Sequence, residues 1–114
     1  MVWGNKNEMD LIVTIVEKGL GEDVIDFAKV AGAEGGTILS GRGCGPHDTT
    51  KLLGMLIEPE KEVVLTLVPH SKTNTLLTSI EIGMELNKPG KGIAFVLNVS
   101  NVVGLGVSKK QENK

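Results

Sequence analysis

Apolar residues in this chain alternate between unbroken β-branched runs and helically spaced stretches. Leu11-Ile12-Val13-Thr14-Ile15-Val16 is such a run and predicts a buried strand, ended by the polar turn Glu17-Lys18-Gly19. Val24, Phe27/Ala28 and Ala31 then recur at i, i+3/i+4 and i+7, one apolar face of a helix. Glu22 and Asp23 in its first turn suit the helix dipole, and Gly32 supplies a stop. Thr37-Ile38-Leu39 opens a second strand, which breaks into a glycine-rich loop reaching about Leu53. Leu52, Leu53, Met55, Leu56 and Ile57 are expected to return toward the sheet before a turn at Glu58-Pro59-Glu60. Glu62 to Val68 is the clearest strand, closed by Pro69.

Ser71 or Thr73 is expected to cap a second helix running to about Leu86, with Leu76, Leu77, Ile80 and Met84 on its apolar face. Gly83 inside it costs about 1 kcal/mol relative to Ala, which implies a close packing contact. Asn87-Lys88-Pro89-Gly90-Lys91-Gly92 is a second glycine/lysine loop, Ile93 to Val99 a further strand, and Val102 to Val107 a short edge segment. Residues 1–8 and 108–114 are expected to be flexible, leaving one domain over residues 9–107.

The order β-α-β-loop-β-α-β is the split βαβ pattern of a ferredoxin-like α+β fold: a four-stranded antiparallel sheet with two helices on one face. Its first, third and fourth strands are apolar on nearly every residue, as in strands buried on both faces. One chain has nothing left to cover the second face, so a cyclic homo-oligomer is expected.

Composition narrows the function classes. The chain has 114 residues, one Cys, 3% aromatics, no Tyr and a net charge of −2. It therefore offers no electrostatic footprint for duplex nucleic acid and few base-stacking platforms. No apolar run reaches the 18 or so residues of a membrane span. The first eight residues lack a signal-peptide layout, and a lone Cys fits a reducing cytoplasm. No nucleophile has a base at interpretable spacing, and Gly41 to Cys44 lacks the ending of a P-loop. An enzyme is not expected.

The candidate chemistry lies in the two glycine loops. Gly41, Gly43 and Gly45 alternate around Arg42, so backbone N–H groups could form a concave anion site beside a forked charge. Lys88 and Lys91 flank glycines and could clamp an anion, or be ordinary solvated lysines. Cys44, His47 and Asp48 lie within five residues, too few for a structural zinc site within one chain. Turn chemistry explains them equally well.

This order of elements resembles the PII signalling proteins, in its divergent PII-like branch. The Gly41-Arg42-Gly43 corner, the Lys61-to-Pro69 strand and the Pro89-to-Leu97 stretch are similar to that family over roughly Leu11 to Val107. The resemblance implies a homotrimer with adenine nucleotides bound between subunits, and a loop after the second strand that controls a membrane transporter or metabolic enzyme. It implies nucleotide contacts at Thr37, Gly41, Arg42, Gly43, Cys44, Lys61, Gly90, Lys91 and Gly92. Gly43 matches the glycine at the loop's entry, Lys61 the lysine where the loop rejoins the sheet, and Gly90 and Gly92 the phosphate-holding glycines. Ile93 stands at the position of the family's lysine.

Other departures follow. Cys44 and Gly45 replace an Arg and a Gln, and Gly104 and Gly106 replace two phosphate-binding arginines. Each lost arginine removes on the order of 1.5–3 kcal/mol. AMP or ADP is therefore expected before ATP, with cyclic di-AMP possible and no metal firmly implied. The competing expectation is a structural or metal-responsive trimer of the same fold without a nucleotide site.

Overall fold

The computed structural model describes residues 9–46, 51–56 and 58–104. Within them β1 (Met9–Glu17), α1 (Gly21–Val30), β2 (Thr37–Arg42), β3 (Lys51–Leu52), β4 (Met55–Leu56), β5 (Glu60–Pro69), α2 (Thr73–Gly83) and β6 (Ile93–Val99) follow in order. The main sheet has strand order β2-β5-β1-β6 with every neighbouring pair antiparallel. The two βαβ halves interleave: β5 lies between β1 and β2, and β1 between β5 and β6. This is the ferredoxin-like arrangement the sequence predicts.

Side-chain alternation divides the sheet into two faces. Ile12 and Val16 of β1 and Val64 and Val68 of β5 are buried with Val24 and Ala28 of α1 and Leu76, Ile80 and Met84 of α2. Ile38 and Val96 extend that layer across the outer strands. The opposite face carries Leu39, Val63, Ile15 and Ile93 in one cross-strand row, and Leu65, Val13 and Phe95 in the next. Leu39, Ile93, Phe95 and Leu97 are between 39% and 55% exposed on it. The strands are thus apolar on both sides, with one side covered by helices and the other open.

The helices meet where the sequence places Gly83. A Cβ there would lie 2.4 Å from Cγ of Phe27, so the ring of α1 occupies the space that glycine leaves. The nearby Ser79 hydroxyl donates to the Phe27 carbonyl at 2.8 Å. Gly32 ends α1 at φ +114°, as its position predicts. The start of α1 has no capping side chain of its own. Glu62 of β5 supplies the acceptor instead, its Oε1 taking the Gly21 N–H at 2.7 Å.

Several expectations change. β2 continues through Gly41 and Arg42, which pair with Lys61 and Glu60, so the loop starts at Gly43. The stretch expected to return toward the sheet forms its own ribbon, β3 pairing with β4. Leu53 and Gly54 turn it with φ of 53° and 80°, the signs a type I′ hairpin requires. α2 ends at Gly83, short of Leu86, and neither Ser71 nor Thr73 caps it. A 3-10 turn at His70–Lys72 precedes it, and the Thr73 hydroxyl donates to Asp10 at 2.7 Å. Residues 1–8, His47, Asp48, Ile57 and everything from Leu105, including Gly106, lie outside the described residues. Among the described residues no helix is long and apolar enough to cross a membrane.

Candidate functional site

The end of β1, the end of β2 and the starts of β5 and β6 meet at one end of the sheet, and a cleft opens there. It measures about 710 Å3, within the usual range of small-molecule sites. Ile15, Val63 and Ile93 form its apolar floor. All three belong to the open face, so the cleft is continuous with the surface that helices do not cover. Two loops wall it: Gly43 to Pro46 after β2, and Leu86 to Gly90 before β6.

Arg42, Lys61 and Lys88 bring positive charge to this lining, and no carboxylate is among its described residues. Glu60, opposite Arg42 on this strand pair, is engaged by Lys18 at 2.8 Å. The hydrogen bond from Lys18 holds the Glu60 carboxyl below its ordinary range, and the charges of Lys18 and, more weakly, Arg42 act in the same direction. The described lining is thus positively charged.

Of the residues singled out in the sequence, Gly41, Arg42, Gly43, Cys44, Lys61, Gly90 and Gly92 come together here. Thr37 does not; it sits at the start of β2, opposite Leu65, four residues from the cleft end. Lys91 does not either. It lines a second cavity of about 410 Å3 with Asp23, Asp26 and Glu85, and its Nζ lies 3.9 Å from Glu85. Lys88, three residues earlier, is the lysine of this loop that faces the cleft. Gly43 lines the cleft, but its N–H donates to the Pro59 carbonyl at 3.2 Å. The backbone share of an anion site at this corner falls to other N–H groups. Gly92 has a packing reason to be glycine: at φ +134°, a Cβ would lie 2.6 Å from the Ile15 carbonyl oxygen.

The sequence reading missed Ile15, Val63, Leu86, Asn87 and Pro89 as lining residues. Strand parity carries a signal for two of them, since Ile15 and Val63 share the open face. It also missed a polar cluster at the far end of the sheet. There the Asp10 carboxylate, 3% exposed, accepts from the Thr73 hydroxyl and faces His70 Nδ1, each at 2.7 Å. Asn98 donates to its other oxygen at 3.2 Å. The Thr73 hydrogen bond, then the hydrogen bond and electrostatic pull of His70, hold the Asp10 carboxyl below the ordinary carboxylate range despite burial.

Among solved structures, the fold is shared with B. subtilis GlnK in complex with ATP, at a TM-score of 0.66 and 18% identity over 85% of this chain and 86% of that one. It is shared with Arabidopsis thaliana PII bound to citrate, at a TM-score of 0.68 and 20% identity over 88% and 82%. CPII from Thiomonas intermedia, a nitrogen regulatory PII-like protein bound to ADP, AMP and bicarbonate, matches with a TM-score of 0.63 and 21% identity over 82% and 91%. A search of curated proteins returned no match. The profile of the nitrogen regulatory protein P-II family matches residues 9–109. That span holds every strand of the sheet and both loops of the cleft, and on it the chain belongs to the nitrogen regulatory protein P-II family.

Proposed function

We propose that this P-II family member is a homotrimeric, cytoplasmic signal transducer. In this reading it binds an adenine nucleotide in the cleft and reports it, through the loop after β2, to a membrane transporter or metabolic enzyme. The observation that carries the reading is the cleft itself. Three cations and two glycine-bearing loops surround an apolar floor with no described carboxylate, on the face that lacks a cover. A neighbouring subunit laid on that face would bury the exposed Leu39, Phe95 and Leu97 and close the cleft in the same step.

Apolar floor and cationic rim suit the two parts of a nucleotide, the base and the phosphates. GlnK of B. subtilis has been solved with ATP, and CPII of Thiomonas intermedia with ADP and AMP. Here Cys44 and Gly45 occupy the loop entry where side-chain donors would strengthen a phosphate grip, and the Gly43 amide is engaged elsewhere. AMP or ADP is therefore favoured over ATP, with cyclic di-AMP a further candidate. The loop acts by population shift: a ligand that binds one loop arrangement better favours it by that difference in free energy.

Titrating the purified protein with AMP, ADP, ATP and cyclic di-AMP while following the melting temperature tests the reading. A true ligand at 100 times its Kd stabilises by about 2.7 kcal/mol. No shift with any of the four at millimolar concentration would remove the nucleotide and favour a structural or metal-responsive trimer. Light scattering checks the trimer independently.

A further inference from the structure

Glu85 lies just behind the cleft wall, and neither the fold nor the nucleotide reading accounts for it. It follows α2 at φ +57°, a left-handed conformation that disfavours a residue with a Cβ and usually belongs to glycine. The turn is well anchored: the Glu85 N–H donates to Ile82 at 3.2 Å and the Leu86 N–H to Glu81 at 3.0 Å. Gly or Asn would close this turn with less strain, so the turn alone gives no reason for a glutamate.

Its carboxylate supplies one. Oε1 lies 3.4 Å from Lys88 Nζ and 3.9 Å from Lys91 Nζ. The two lysines belong to opposite sides of the loop, Lys88 to the cleft and Lys91, with Glu85, to the second cavity. Glu85 does not line the cleft and reaches it only through the Lys88 ammonium. We propose that Glu85 is a built-in counter-ion of the cleft, which holds Lys88 when the cleft is empty and competes with ligand phosphates for it. This rests on the cleft being the phosphate-binding site, and it adds how that site is graded.

A fixed negative charge beside the site repels each added phosphate charge. The penalty therefore grows from AMP to ATP, and Glu85 biases the cleft toward less charged ligands. Lys88 and Glu85 are both about half exposed, so the effect is modest and salt-sensitive.

Glu85→Gln removes the charge and keeps the side-chain length, while Glu85→Gly also suits the left-handed turn. Calorimetric titration of wild type and both variants with AMP, ADP, ATP and inorganic pyrophosphate, at about 50 and about 500 mM salt, reads the effect. Both variants are expected to bind ADP and ATP about two- to fivefold more tightly than wild type, the range that exposed ion pairs are worth. The gain should be smaller for AMP, shrink at high salt and vanish in a Lys88→Ala background. Unchanged or weaker binding by Glu85→Gln, or the same gain without Lys88, overturns the proposal. Pyrophosphate separates the two readings. If it binds more tightly to Glu85→Gln while no nucleotide binds, the counter-ion stands and the nucleotide site fails. If neither binds to Glu85→Gln at millimolar concentration, both fail.

Discussion

At the scale of single residues, the Asp10 carboxylate shows how one buried charge can fix the end of a sheet. It joins the start of β1 to the start of α2 through Thr73, to the 3-10 turn through His70 and to β6 through Asn98. Its folded-state pKa lies below the unfolded value. The stabilisation is therefore complete above the ordinary carboxyl range and is lost as pH falls through the folded-state value. Asp10→Asn should cost about 1–3 kcal/mol at pH 7, since it leaves buried donors without their acceptor. In urea denaturation the gap to wild type should narrow below about pH 4; a gap independent of pH would remove the charge from the account. Thr14 and Thr66 behave oppositely. Their hydroxyls are buried on the helix-facing side with no hydrogen-bond partner among the described residues. Thr66→Val should be neutral or stabilise by up to about 1 kcal/mol. A loss of stability would reveal a buried water bound to the hydroxyl.

At the scale of elements, the helix pair depends on the absence of a side chain. Gly83→Ala gains helix propensity of about 1 kcal/mol, yet its methyl group meets the Phe27 ring. Overpacking of this kind costs about 1–3 kcal/mol, so a net loss in chemical denaturation is expected. A more stable Gly83→Ala would show that the ring has room to move. This contact was legible because a glycine inside a good helical pattern needs a packing reason. The extension of β2 through Arg42 was not, because Gly41 has low strand propensity and only pairing with Lys61 keeps it extended. Likewise, Lys88 and Lys91 are alike as sequence. The turn around Gly90, at φ +79°, sends them to different cavities.

At the scale of the whole molecule, the uncovered sheet face and the cleft form one problem. Apolar surface contributes about 25 cal/mol per Å2 when removed from water, so a face carrying Leu39, Phe95 and Leu97 favours association. Leu97→Glu touches neither the cleft nor the helix-covered core. In the trimer proposed here it should reduce the mass seen by light scattering to about one third, with a folded monomer by circular dichroism and weaker nucleotide binding. A wild-type monomer would break the link between the open face and assembly, and an unaffected Leu97→Glu trimer would place the interface elsewhere.

Sequence alone determined the order of the four main strands and two helices, the fold class and the existence of a second apolar face, because periodicity and turn residues are local patterns. It also picked out glycines of both loops that line the cleft, since clustered glycines mark turns. Tertiary structure decided the rest. Strand pairing set where β2 ends and engaged the Gly43 amide with Pro59. Chain reversal brought Asp10 to His70 and Glu62 to the start of α1. A left-handed turn set Glu85 between two lysines. The pairings depend on groups distant in the chain and the Glu85 contacts on a left-handed backbone conformation, and no residue pattern encodes either.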